Sequence, residues 1–216
     1  MTANQNIHQG QPLVVMGSPL DEAKAVMIMV HGRGASPRNI LSLANNFHTD
    51  GFAYLAPQAT GNTWYPHSFL APLDANEPGI SSGIQAIADV IKQVEGAGIS
   101  AEKIMLLGFS QGACLSLEFA ARNAKRYGGV VALSGGLIGP DDTSRDYEGS
   151  LEETPVFLGC SDIDFHIPLQ RVHDSEIWLK ALNANVDKRI YPNMGHTTND
   201  DEFSAIQAMM VSVVAE

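Results

Sequence analysis

Short uninterrupted apolar runs recur along the chain, each closed by glycine, proline or a polar cluster. Residues 26–30, 52–56, 104–107, 129–133 and 155–160 show this pattern without the alternation of a half-exposed strand. They predict strands buried on both faces of a parallel sheet. Residues 12–16 predict a further strand at a sheet edge, and residues 186–191 predict the last one. Between them the period changes. Ile84, Ile87, Ala88, Ile91 and Val94 share one face of a helix over about 80–95, which Gly96 and Gly98 end. Helices are also predicted from Asn39 to Ala44, over 114–121, over about 169–182 and over about 200–214. Strands alternating with helices predict an α/β fold with a mainly parallel central sheet and helices on both faces. No internal repeat, low-complexity tract or linker interrupts the series, so residues 1–216 are expected to form one domain.

Ligands of such sheets sit at the carboxyl ends of the strands. Those ends carry His31-Gly32-Arg33, the loop of Trp64, Ser110, Ser134-Gly135-Gly136, Asp162 with Asp164, and His196. The segment Gly108-Phe109-Ser110-Gln111-Gly112-Ala113 joins a predicted buried strand to a predicted helix. A nucleophile elbow needs that context, because its serine must stand on a sharp strand-to-helix turn with the hydroxyl raised above the sheet. Small residues two positions either side give the strained backbone clearance. The helix start behind Ser110 offers free N–H groups beside any developing negative charge. A glycine-rich turn whose serine only caps the helix is the plain alternative.

Composition narrows the function. The 216 residues suit one domain, and 44% apolar residues can fill its core. Charged residues make up 17%, too few for extensive disorder. A net charge of −11 argues against nucleic acid or an anionic membrane as partner. The polar start of the chain lacks the pattern of a signal peptide, and no apolar stretch of about 18 residues is present to span a bilayer. Cys114 and Cys160 both fall in apolar elements and read as buried free thiols, consistent with a cytoplasmic location. A disulfide between them stays open.

A serine hydroxyl needs a base within hydrogen-bond reach, itself oriented by a carboxylate. In the α/β-hydrolase order the serine comes first, then the acid, then the histidine. His196 lies in a glycine-containing loop between the last strand and the last helix, where a base could reach back over the elbow. His8 and His48 read as solvated, His173 lies on a helix, and His31 reads as a structural donor. His67 and His166 could line a pocket or lie on the surface. An oxyanion would need two donors, each worth roughly 3–4 kcal/mol. The backbone N–H groups of Gln111 and of Arg33, flanked by two glycines, are the candidates. Both Asp162 and Asp164 fall where the acid belongs, and position does not separate them.

These segments together resemble the phospholipase/carboxylesterase family of α/β hydrolases, which includes acyl-protein thioesterases and carboxylesterases. The resemblance runs over nearly the whole chain. It is carried by His31-Gly32-x-Gly34, the Trp64 loop, Gly108-Phe109-Ser110-Gln111-Gly112-Ala113, Leu133-Ser134-Gly135, Asp164-Phe165-His166-Ile167-Pro168 and Tyr191-x-x-Met194-Gly195-His196. It implies an α/β-hydrolase fold, a triad of Ser110, Asp164 and His196, an oxyanion hole of the Arg33 and Gln111 amides, and neither cofactor nor metal. The chain departs from the family in two places. Cys160-Ser161 stands where a His-Gly pair is usual, and Arg33 stands where relatives often have an apolar residue.

The expected activity is that of a serine hydrolase acting on small to medium carboxylic esters, thioesters or lysophospholipids. A dienelactone-hydrolase-like enzyme is the nearest alternative, although such enzymes typically carry cysteine at the elbow. A ligand sensor that keeps the fold is the alternative from another class. Neither the loop between Pro57 and Ile80 nor that between Gly135 and Glu153 is long enough for a separate cap, so an open pocket and short acyl chains are expected. Trp64, Phe69, Leu137 and Ile138 are the candidates for acyl contact, with local packing as their other reading. The expected partner is a small-molecule ester, with no nucleic acid and no stable membrane insertion. The oligomeric state is not legible.

Overall fold

In the computed structural model, which describes residues 6–215, the buried runs become neighbouring strands of one sheet. The strands are β1 (Leu13–Gly17), β2 (Ala25–Val30), β3 (Phe52–Pro57), β4 (Ile104–Phe109), β5 (Gly129–Leu133), β6 (Pro155–Ser161) and β7 (Asn185–Tyr191). Their order across the sheet is β1-β3-β2-β4-β5-β6-β7. Only β1 runs antiparallel, pairing Leu13 with Pro57 and Gly17 with Ala53 at the edge. The elbow strand β4 lies in the centre, with β2 on one side and β5 on the other.

The helices are α1 (Pro37–Leu41), α2 (Gly79–Gly96), α3 (Gln111–Arg122), α4 (Leu169–Ala181) and α5 (Asp200–Ala215). The period-two alternation of a strand sends neighbouring side chains to opposite faces, and two separate cores result. Val26, Ile28, Val30, Ile104 and Leu106 face one way and pack with Ile87, Leu115 and Val172 of α2, α3 and α4. Met27, Met29, Met105 and Leu107 face the other way and pack with Ile40 of α1 and Ile206 and Met210 of α5. Helices therefore cover both faces, which is why the central strands carry no polar alternation.

The helix expected over residues 39–44 is shorter and tighter. Pro37 opens α1, a capping box links Ser36 and Asn39, and the chain then continues as a 3-10 turn over Ser42–Asn46. His8, expected to be solvated, is buried. Its Nε2 donates to Trp64 O at 2.8 Å and its Nδ1 accepts from Thr60 N at 3.1 Å. Burial lowers its pKa below the usual histidine value, so it sits in the fold as a neutral imidazole. It anchors the segment leading into β1 against the Trp64 loop.

Candidate active site

Ser110 has φ 55° and ψ −120°, an uncommon backbone region for a residue with a Cβ. Strain of this kind costs on the order of 1–3 kcal/mol and persists where the surroundings over-determine it. The surroundings here are close. A Cβ on Gly112 would come within 2.0 Å of Val30 O, and one on Gly108 within 2.2 Å of Gly112 O. Neither backbone can retreat, because Val30 is held in β2 and Gly112 in the first turn of α3. The Ser110 amide donates to Leu133 O at 2.9 Å, tying the turn to β5.

His196 Nε2 lies 2.9 Å from Ser110 Oγ, and His196 Nδ1 lies 2.7 Å from Asp164 Oδ2. An ionised carboxylate only accepts, so Nδ1 carries the hydrogen and Nε2 is left free to accept the serine proton. The other oxygen of Asp164 accepts from the His166 N–H at 2.9 Å and the Ile167 N–H at 3.1 Å. Burial pushes the Asp164 carboxyl upward. The hydrogen bonds from His196, His166 and Ile167 outweigh that and hold it below the usual carboxylate range. The acid is therefore a fixed anion behind the imidazole. Asp162 points elsewhere, its Oδ1 accepting from the Asn193 N–H at 2.8 Å.

The loops carrying acid and base are fastened to each other. Ser161, fully buried at the end of β6, accepts through Oγ from the Gly195 N–H at 2.9 Å and the Ile163 N–H at 3.2 Å. A lone serine after a strand carries no recognisable signal in sequence, and its role here emerges only once β6 and β7 pair. Phe109, whose ring centroid is 5.0 Å from that of His196, and His166, at 4.7 Å, pack against the imidazole. Cys160 Sγ lies 3.9 Å from Asp164 Oδ2. Burial, with the Asp164 charge beside it, pushes this thiol up to about 12, and burial does the same for Cys114. Both cysteines are free and protonated.

Gln111 is the first residue of α3, so its N–H has no partner within the helix. Its side chain is committed elsewhere. Oε1 accepts from the Trp64 N–H at 2.9 Å, and Nε2 donates to Tyr65 O at 2.8 Å. Arg33 grips the same loop from above, donating to Pro66 O at 2.8 Å and to His67 O at 2.5 Å, with its guanidinium 5.9 Å from the Tyr65 ring centroid. Two side chains, one from the loop after β2 and one from the start of α3, thus clamp the loop of residues 64–67.

A cleft of about 640 Å3 opens over Ser110 and His196. Arg33, Gln111, Tyr65, Phe69, Phe109 and Ile167 line it. Of the four residues expected to touch an acyl group, only Phe69 lines the cleft. Trp64, Leu137 and Ile138 are 0% exposed and belong to the core, which corrects that expectation. The reason lies in their hydrogen bonds. Trp64 Nε1 donates to His31 O at 2.9 Å, turning the indole under the cleft. Buried Ser175 and Glu118 accept from the N–H groups of Leu137 and Ile138, and buried Arg171 donates to Leu137 O, pulling that loop down onto α3 and α4. Tyr65, Phe109 and Ile167 were not singled out from sequence, because an apolar residue in a loop or at a strand end looks the same whether it lines a core or a cleft. His31 is buried with Nδ1 on Gly32 O at 2.8 Å and Nε2 accepting from the Ala59 N–H at 3.2 Å. Burial lowers its pKa, so it props up the Arg33 loop as a neutral ring. Among the described residues no cluster of three or more His, Cys, Asp or Glu side chains is placed to hold a metal ion.

The base loop leads straight into α5 through a reciprocal cap. The Asn199 N–H donates to Glu202 Oε2 at 2.9 Å and the Glu202 N–H to Asn199 Oδ1 at 3.0 Å. Glu202 is fully buried against Gly159, and burial raises its pKa to about 7 despite the Asn199 bond. For an acid whose folded pKa is raised, the native state holds the proton that the unfolded chain releases. Stability from this group is therefore full below about 4.5 and falls as the pH rises to about 7, by roughly 3 kcal/mol in all. Denaturation across pH 4–8 should show this decline in the wild type and not in Glu202→Gln. Parallel curves would mean that Glu202 ionises like a solvated carboxyl.

Residues 12–213 match the sequence model of the phospholipase/carboxylesterase family. The chain is 31% identical over 209 residues to acyl-protein thioesterase 1 of Kluyveromyces lactis, covering 88% of this chain and 92% of that protein. It is 23% identical over 214 residues to lysophospholipase-like protein 1 of Mus musculus, covering 90% and 89%. The crystal structure of a phospholipase/carboxylesterase from Dyadobacter fermentans superposes with a TM-score of 0.90 at 40% identity, covering 94% of this chain and 97% of that one. The fold is that of an α/β hydrolase.

Proposed function

The chain belongs to the phospholipase/carboxylesterase family and is a hydrolase of carboxylic esters or thioesters, and we propose that Ser110, His196 and Asp164 are its nucleophile, base and acid. The observation that carries this assignment is the unbroken relay from Ser110 Oγ through His196 to Asp164, at 2.9 and 2.7 Å, on a strained elbow at the floor of the cleft. His196 Nε2 takes the Ser110 proton as Oγ attacks the acyl carbon. The oxyanion that forms accepts from the N–H groups of Arg33 and Gln111. As the tetrahedral species collapses, the bond to the leaving group breaks and Nε2 returns its proton to the departing oxygen or sulfur. Water then attacks the acyl-enzyme by the same route and frees Ser110. The serine at the elbow favours this reading over a dienelactone-hydrolase-like one.

A fluorophosphonate probe tests the nucleophile. Peptide mapping should find the label on Ser110, and label elsewhere, or none on folded protein, would sink the assignment. The substrates are small-molecule esters or other acylated compounds. Among the described residues no helix is long and apolar enough to cross a membrane. Two buried protonated thiols support a cytoplasmic location.

With Trp64, Leu137 and Ile138 withdrawn into the core, the apolar wall of the cleft is short. Acyl chains of small to medium length should therefore give the highest kcat/KM. A p-nitrophenyl series from acetyl to palmitoyl measures this, and a rate that climbs steadily to palmitoyl would refute it.

A further inference from the structure

Beside the main cleft lies a second, smaller groove of about 190 Å3. Ile40, Leu43, Thr197 and Thr198 form its outer wall, and Phe109 and His196 form the side facing the cleft. The two spaces share Gly32, Ala35, Phe109 and His196, so they form one trough with His196 between its lobes. They differ in what else they touch. Ser110 and Gln111 line the large lobe only.

Resting on the proposed roles of Ser110 and His196, we infer that the small groove is the leaving-group subsite and takes an uncharged aliphatic alcohol or thiol of up to about six carbons. The reaction itself orients the substrate. When the Ser110 Oγ–acyl carbon bond forms, the acyl group becomes fixed to Ser110 and its oxyanion lies against the Gln111 amide, so the acyl chain belongs in the lobe those residues line. The bond that breaks joins the acyl carbon to the departing oxygen or sulfur, and that atom takes its proton from His196 Nε2. The departing atom therefore lies beside Nε2, next to Ser110 Oγ on the same carbon, and only the chain behind it can leave the large lobe past His196. The small groove, which His196 lines and Ser110 does not, receives that chain.

Its chemistry sets the class of group. No acidic or basic chain other than histidine lines it, and neutral Asn39, Thr197 and Thr198 sit beside the apolar Ile40, Leu43 and Phe109. A charged alcohol such as a choline or a phosphate would gain no counter-charge. Its size sets the limit, since a cavity of about 150 Å3 holds a benzene-sized group. Each buried methylene should raise kcat/KM by roughly two- to fourfold until the groove is full.

The test holds the acyl group at butyryl and varies the alcohol from ethyl through butyl and hexyl to decyl. In the wild type kcat/KM should climb to about hexyl and then level off. Leu43→Trp fills the groove from the 3-10 turn and should flatten the climb. Thr197→Phe, at an exposed position in the loop after His196, should do the same if the Leu43 variant folds poorly. Deacylation should be common to all the esters, because they share one butyryl-enzyme. The dependence on acyl length, read from ethyl butyrate against ethyl hexanoate, should keep its wild-type form in both variants. A flat alcohol profile in the wild type overturns the inference. So does a variant that alters the acyl dependence while sparing the alcohol dependence, which would place the acyl chain in this groove. Failure of the fluorophosphonate to label Ser110 would instead count against the nucleophile assignment.

Discussion

Ser110→Ala is expected to lower kcat by about 10⁶ while leaving the fold intact, and His196→Ala by a similar factor. The two losses should not add, since the hydroxyl without its base and the base without its hydroxyl are equally unable to form the acyl-enzyme. The expected residual rate is that of the cleft and the two amides alone, still well above solution hydrolysis. The Ser110→Ala variant should melt no lower than the wild type. The hydroxyl contributes a single hydrogen bond, to His196, and the strained φ of 55° is imposed by the backbone contacts of Gly108 and Gly112 rather than by the side chain. His196 lies in a loop and is half-buried, so its removal should also cost little stability. Measuring turnover of a short-chain p-nitrophenyl ester beside the melting temperature separates chemistry from folding. Activity within tenfold of wild type in either variant would reject the relay.

The second large effect belongs to Asp164→Asn, with an expected fall in kcat of roughly 10⁴. The amide can present its NH2 group to His196 Nδ1. The ring would then accept at Nδ1 and carry its hydrogen on Nε2, facing Ser110, where it cannot take the serine proton. The positive charge that forms on His196 during attack would also lose its counter-ion, in a site where Asp164 is buried and held ionised by three hydrogen bonds. Asp162→Asn supplies the contrast. Its oxygen accepts only from the Asn193 N–H, and an asparagine oxygen can do the same. It should keep kcat within a few-fold and cost less than about 1 kcal/mol of stability. The opposite ranking of the two variants would move the acid to Asp162.

Most of the fold was legible because burial on both faces leaves an unmistakable trace. Strands β2 to β6 are apolar without alternation, and their short length between turn residues marks them as strands. Helix α1 was less legible. Pro37 and the Ser36–Asn39 cap open it two residues before the apolar spacing does, and after Leu41 the chain tightens into a 3-10 turn that this spacing does not register. His8 was misread for a different reason. Nothing in a polar leader shows that Trp64 and Ser82, 56 and 74 residues away, will bury it.

Chain order and covalent geometry alone determined the central strand, the elbow with Ser110, and the loop of His196, because each follows from residues adjacent in sequence and from the rule that ligands gather at strand ends. The choice between Asp162 and Asp164 was different. The two are separated by one residue, and what divides them is a 2.7 Å contact made only after the β6 and β7 loops have come together over Ser161. The walls of the cleft were decided at the same level. Hydrophobicity says that Trp64, Leu137 and Ile138 must leave water, as Tyr65 and Phe69 must. Which of them enter the core and which line the site depends on where their backbone N–H and C=O groups, and the Trp64 indole N–H, find partners. Those partners, Gln111, His31, Glu118, Arg171 and Ser175, lie between 20 and 47 residues away in the chain.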